Sequence, residues 1–175
     1  MKYTKEIFEI LSRGGCISEN SVNSDQSRLY DAIEDDSLAY QEYYAGIGFL
    51  LEGGHGYYYF SRSEKKNDSI NKVQKLAEWI DRVDFLKTFN STFGPGFTFQ
   101  KSNILERFSG DIELKEKARA LYQNGKNDEE KINTLINELL HLGFIELENE
   151  QDGTYKVTSA FRYIEDLLDC LTINE

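Results

Sequence analysis

The sequence predicts an α+β protein, mostly helical, made of two winged-helix domains in tandem, each with a small antiparallel β-hairpin as its wing. Three observations predict it. Apolar residues recur at helical spacing along most of the chain. The first third reads as helix, strand, helix, helix, strand, hairpin loop, strand, which is the winged-helix order. The remainder repeats that order at greater length. A chain of 175 residues holds two small domains, and the expected division is 1–66 and 67–175.

The first domain opens with Ile7, Phe8, Ile10 and Leu11 on one helix, from Tyr3 to Ser12, stopped by Gly14-Gly15. Cys16-Ile17-Ser18 makes a short strand. Ser24 is the expected N-cap of a helix carrying Leu29, Tyr30 and Ile33. Asp35-Asp36-Ser37 breaks that helix and starts the next, which holds Leu38, Tyr40, Tyr43 and Tyr44 and ends between Gly46 and Gly48. Phe49-Leu50-Leu51 and Tyr57-Tyr58-Tyr59-Phe60 are two apolar runs joined by Gly53-Gly54-His55-Gly56. That pattern is a hairpin with a flexible glycine tip.

The second domain begins with a long amphipathic helix from Asp68 to Asn90, bearing Ile70, Val73, Leu76, Ile80, Val83 and Phe89. Gly94-Pro95-Gly96 turns the chain into a short strand, Phe97-Thr98-Phe99. Ser102 is the expected cap of the next helix. A charged helix near 111–124 looks like an insertion. Asn127 with Glu130 resembles a capping box, and Ile132, Leu135, Ile136, Leu139 and Leu140 form an apolar stripe closed by Gly143. A hairpin turns at Gln151-Asp152-Gly153, and a last helix presents Phe161, Ile164, Leu168 and Leu171.

Charge is distributed in blocks within a net −11. Residues 1–61 carry −6, residues 62–126 carry +4 and residues 127–175 carry −9. A basic middle between acidic ends is either chance clustering on a solvated surface or a region that meets an anion. No apolar run is long enough to span a bilayer. The opening residues lack the apolar stretch of a secretion signal, so Cys16 and Cys170 are expected to be reduced thiols in the cytoplasm.

Enzyme chemistry finds little support. His55 and His141 with two distant cysteines cannot supply zinc-ligand spacing. The glycine run lacks the Gly-Lys-Ser/Thr ending of a phosphate loop. No catalytic residue, cofactor or metal site is expected. Reading of duplex DNA fails on charge: the helix Ser37–Ala45 has no Lys or Arg, and Asp128–Leu142 has Lys131 against four acidic residues.

The hairpin Phe49-Leu50-Leu51 … Gly56-Tyr57-Tyr58-Tyr59-Phe60-Ser61-Arg62 resembles the first wing of MukE-like condensin subunits. The segment from Ile132 to Ile145, with its Leu142-Gly143 turn, and Tyr155-Lys-Val-Thr-Ser-Ala-Phe-Arg162 are similar to the end of that family's second domain. The resemblance implies a non-enzymatic, kleisin-binding accessory subunit of a MukB/MksB-type complex. Its partners would be a MukF/MksF-like kleisin and, through the complex, the SMC-like ATPase. It further implies a homodimer at the nucleoid in the cytoplasm, helping chromosome organisation and segregation. The chain is shorter than MukE at its N-terminus, which favours the MksE-like branch or the corresponding subunit of a plasmid-defence complex. A winged-helix transcription regulator is the alternative reading.

Two surfaces follow as candidates. Alternation on the second wing strand sends Tyr57 and Tyr59 one way and Tyr58 and Phe60 the other. One face covers the first core; the other is half-exposed or is covered by the second domain, a second copy or a kleisin segment. Arg162 and Tyr163 lie off the apolar stripe of the last helix and complete the partner-binding set. Arg62, Lys65, Lys66, Lys72 and Lys75 crowd the domain junction, as a solvated linker or as contacts to DNA backbone.

Overall fold

The computed structural model describes residues 1–61, 68–122 and 127–172. The elements run α1 (Thr4–Leu11), β1 (Ile17–Ser18), α2 (Ser24–Asp35), α3 (Ser37–Ala45), β2 (Leu50–Gly54), β3 (Tyr57–Ser61), α4 (Asp68–Phe89), β4 (Thr98–Gln100), α5 (Lys101–Arg107), α6 (Ile112–Leu121), α7 (Asp128–Leu142), β5 (Ile145–Asn149), β6 (Thr154–Val157) and α8 (Phe161–Thr172). The class is α+β and mostly helical, as expected. Two antiparallel sheets have the same topology, β1-β3-β2 and β4-β6-β5, so that in each the last strand lies in the middle.

Helix ends follow local chemistry, with two corrections to the expected caps. Asn23, not Ser24, caps α2: its backbone is extended and its side chain accepts from the Asp25 N–H at 2.9 Å. Ser24 is already the first helical residue. Gln100, not Ser102, precedes α5, where the Asn103 side chain accepts from the Gln100 N–H at 2.9 Å. The Asn127–Glu130 capping box on α7 is present, with both reciprocal bonds near 3.0 Å. Gly143 ends α7 at φ +75, a left-handed value that glycine adopts without strain.

Apolar spacing on these elements buries two cores. Ile7, Leu11, Ile17, Leu29, Ile33, Tyr40, Tyr44, Leu51 and Tyr58 make the first. Tyr40 and Tyr44, one turn apart on α3, also tie down the start of α1. The Tyr44 hydroxyl donates to the Thr4 carbonyl at 2.7 Å, and that of Tyr40 donates to the Lys2 carbonyl. The second core gathers α4 to α8 around Phe85, Leu86, Phe93, Ile104, Leu135, Leu139 and Phe161. Helix α6 belongs to it. Its Leu114 and Ala118 are fully buried, so this charged stretch, expected as an insertion, packs into the core while Lys117 pairs with Asp84 of α4 at 2.9 Å.

The two cores share a strand. Neighbours on β3 divide between them, Tyr58 entering the first and Tyr57 the second. The tip of this hairpin is shaped by its rings. Tyr57 and Tyr58 pair across the ladder with Gly54 and Gly53. A Cβ on Gly54 would stand 2.3 Å from the Tyr57 ring, and one on Gly53 would stand 2.7 Å from the Tyr58 ring. Glycine is needed here because aromatic faces lie over the backbone, which replaces the expectation of a merely flexible tip.

Candidate functional site

The loop after β1 is a run of small polar residues, and its side chains reach across to the start of α8. A helix leaves its first N–H groups without partners inside the helix. At α8 those of Phe161, Arg162 and Tyr163 turn back to the carbonyls of Thr158, Ser159 and Ala160, and the two N–H groups just ahead of them are met by the other half of the chain. Asn20 Oδ1 accepts from the Ser159 N–H at 2.7 Å, and Ser18 Oγ accepts from the Ala160 N–H at 3.2 Å. Asn20 Nδ2 also donates to the Val157 carbonyl at 3.2 Å, and the Ser159 hydroxyl donates to Glu19 Oε1 at 3.1 Å. On the neighbouring strand Glu146 accepts from the Ser21 hydroxyl and the Val22 N–H at 2.7 and 2.6 Å. Replacing Asn20 by Ala leaves the partly buried Ser159 N–H without this acceptor, while the Val157 carbonyl keeps its bond from the Gly96 N–H at 2.8 Å. The substitution is expected to lower stability by about 2 kcal/mol, measurable by urea denaturation.

Helix α8 then runs along the wing. The Arg162 guanidinium donates to the His55 carbonyl at the wing tip at 2.6 Å and stands 3.8 Å from Glu19. The Tyr163 ring lies 4.8 Å from that of Tyr59 and 6.3 Å from that of Tyr57. Tyr57 is 3% exposed. Its hydroxyl is pushed up to about 12 by burial and by the Asp166 carboxylate, so it stays a protonated donor. On the opposite face Phe60 packs against Phe8, Tyr44 and Phe49, and the Tyr58 hydroxyl donates to Glu34 at 2.9 Å. Both faces of β3 are therefore covered from within the chain. Of the sequence candidates, Tyr57, Tyr59, Arg162 and Tyr163 are brought together; Tyr58 and Phe60 face away from them.

Beyond Tyr163 a groove opens between α4 and α8. Leu76 and Trp79 form one wall, Tyr163, Ile164 and Leu167 the other, and Leu142 with Phe144 the floor, enclosing about 360 Å³. Trp79 is the chain's one tryptophan. Its ring meets Phe144 edge-on at 5.6 Å, and the Arg82 guanidinium lies 5.1 Å over it. Arg82 is itself held by Glu138 at 2.9 Å and Glu78 at 3.2 Å. An aromatic-lined cleft of this kind suits an apolar peptide side chain, because tryptophan and tyrosine gain most when a partner excludes water from them. Sequence reading passed over Trp79, which stands one residue off the stripe traced along α4. The signal was its spacing, i+3 from Leu76 and i−3 from Arg82.

The basic candidates fall beside this groove or outside view. Lys75 is exposed on its rim. Arg62, Lys65 and Lys66 lie outside the described residues, as does the side chain of Lys72. The acidic helices are poorer in available cations than their sequences suggest. Lys131, the one basic residue of α7, is 7% exposed and donates to the Arg119 carbonyl at 3.0 Å. Burial pushes the Cys16 thiol up to about 12, so it remains un-ionised at neutral pH. Among the described residues no group of three or more His, Cys, Asp or Glu side chains is placed to hold a metal ion, and no helix is long and apolar enough to cross a membrane.

Comparison with known proteins places these features in a family. The model of the family described as condensin complex protein MksE matches residues 2–168. No curated protein matches the chain.

Proposed function

The chain belongs to the MksE family of condensin complex proteins, and from that membership we propose that it is a non-enzymatic accessory subunit of a bacterial SMC-like complex. It binds the kleisin subunit, reaches the MukB/MksB-type ATPase through that complex, and helps to organise and segregate the chromosome at the nucleoid. The observation that carries this reading is the extent of the family match, which spans both sheets and both cores. The twice-repeated strand order supports two winged-helix domains, 1–66 and 67–175. A homodimer follows from the same family reading. Contact with DNA, where it occurs, is confined to backbone around the basic junction and carries no sequence preference.

The groove beside Tyr163 is the proposed kleisin seat. The wing rings are already engaged within the chain, whereas Trp79, Leu76 and Leu167 line an open cleft with a lysine on its rim. Trp79→Ala combined with Lys75→Glu is expected to weaken the complex with the cognate kleisin by about ten-fold or more, measured by calorimetry on purified proteins. Lys75→Glu alone touches an exposed residue and should leave the melting temperature unchanged. A wild-type protein that does not bind its kleisin at micromolar concentrations sinks the assignment. Kleisin binding that ignores both substitutions moves the seat elsewhere.

A further inference from the structure

Arginine is seldom buried, because its charge leaves water and must be answered by partners within the fold. Arg82 is buried on α4, and groups from α4, α6 and α7 gather on it. One terminal nitrogen of its guanidinium donates to Glu138 Oε1 on α7 at 3.3 Å, and the other donates to Glu78 on its own helix at 3.2 Å. Its Nε stands 2.9 Å from Glu138 Oε2. Glu138 is held in turn: the hydroxyl of Tyr122, at the end of α6, donates to it at 2.7 Å. Carboxylates meet a guanidinium in its plane and leave its faces for aromatic rings. The Arg82 Cζ lies 5.1 Å from the Trp79 ring centre and 5.5 Å from that of Tyr122, both within cation–π range.

Trp79 is therefore constrained twice. It meets Phe144 edge-on, and a guanidinium that is fixed by two carboxylates lies over its ring. The indole stays half-buried and lines the groove with Leu76 and Leu167. A ring fixed in this way is set before any partner arrives, so binding does not have to order it. Packing alone explains the arrangement less well. Apolar residues of similar size fill a buried position without a charge to desolvate, and such replacements are often as stable as the ion pair.

We infer that Arg82 is a positioning residue for the groove: anchored by Glu138 and Glu78, it holds the Trp79 ring as a preset wall on which an apolar side chain of the kleisin docks. The inference rests on the kleisin reading for the identity of the partner, and on the geometry alone for the hold on the ring.

The test uses the full chain, whose single tryptophan makes fluorescence emission and acrylamide quenching report on this ring alone. Arg82→Lys keeps a positive charge for Glu138 but has no planar face to lay on the indole. It should shift Trp79 emission to longer wavelength, increase quenching, and raise the Kd for the full-length kleisin about five-fold. A merely structural ion pair gives the opposite result, since lysine then restores the pair and no readout moves. Ile33→Ala, in the first core and away from the groove, controls for lost stability. Below its melting transition, its emission, quenching and kleisin affinity should match the wild type. If Arg82→Lys does not fold, Glu138→Gln at a partly exposed position carries the test, with the same changes expected at smaller size. Wild-type emission and quenching in the folded variant overturn the inference and leave the kleisin reading standing. A freed ring with unchanged kleisin affinity overturns it as well, and so does an equal shift in Ile33→Ala. A kleisin that does not bind the wild-type protein removes the kleisin reading, while the fluorescence still decides whether Arg82 sets the ring.

Discussion

Replacing Tyr57 by alanine is expected to destabilise the protein as much as replacing Tyr58, by about 3 kcal/mol each. Alternation along β3 alone suggests otherwise, since one face of a wing normally meets water. Here Tyr58 is 8% exposed in the first core and Tyr57 is 3% exposed in the second. Each substitution leaves a ring-sized cavity, and each also removes the ring that covers a glycine across the ladder. For a chain of this length, about 3 kcal/mol corresponds to a fall of roughly 6–12 °C in melting temperature. The two variants should differ in kind. Tyr58→Ala loosens the packing of α2 against the wing, where its hydroxyl meets Glu34. Tyr57→Ala loosens the seam between the halves, so exchange should accelerate first in α8. A Tyr57→Ala protein that melts like the wild type would mean that the seam contributes little to stability.

Phe161→Ala is expected to have the largest effect, about 3–5 kcal/mol. The ring is fully buried between Phe93 and Phe144, at 5.4 and 6.1 Å between centroids. Phe161 also opens α8 directly after Ser159 and Ala160, whose N–H groups are satisfied by Asn20 and Ser18 from the other half. Losing it should displace Tyr163 and Leu167, and with them one wall of the groove. Thermal melting and kleisin binding should therefore fail together in this variant. Retained kleisin affinity in a strongly destabilised Phe161→Ala protein would argue that α8 is not part of the seat.

Most elements were legible because they are decided within a few residues. The stripe Ile132, Leu135, Ile136 and Leu139 closed by Gly143, the capping box at Asn127, and the first hairpin each depend on spacing and end chemistry that a short window contains, although Leu140, read into the stripe, is 36% exposed and the loop read as Gly53–Gly56 narrows to His55-Gly56. The cap corrections at Asn23 and Gln100 are of the same local kind, where polar residues one or two positions apart compete and the one with extended backbone stands at the cap. The helix α6 was legible as a helix and not as a wall of the core. Its charges dominate the composition, whereas its burial depends on Leu114 and Ala118 meeting α4 and α7, far away in sequence. Trp79 escaped for the same reason: its value as a groove wall comes from α8, more than eighty residues later.

The sequence by itself determined the order of helices and strands, the two hairpins, the acidity of α3 and α7, and a resemblance that the family match supports. These rest on periodicity, turn chemistry and composition, all of which survive without knowledge of any long-range contact. Only the tertiary structure decided which face of the wing is free. Period-two alternation assigns Tyr57 and Tyr59 to one side and Tyr58 and Phe60 to the other, but it says nothing of what lies opposite. Helix α8 lies opposite, held by hydrogen bonds that cross 139 and 142 positions of the chain. Burial is a property of what packs against a surface. For β3 that partner is set by the other end of the chain, so Tyr57 and Tyr58 are buried on opposite faces of the strand, Tyr59 and Phe60 are half-buried, and the aromatic groove at Trp79 opens beyond them.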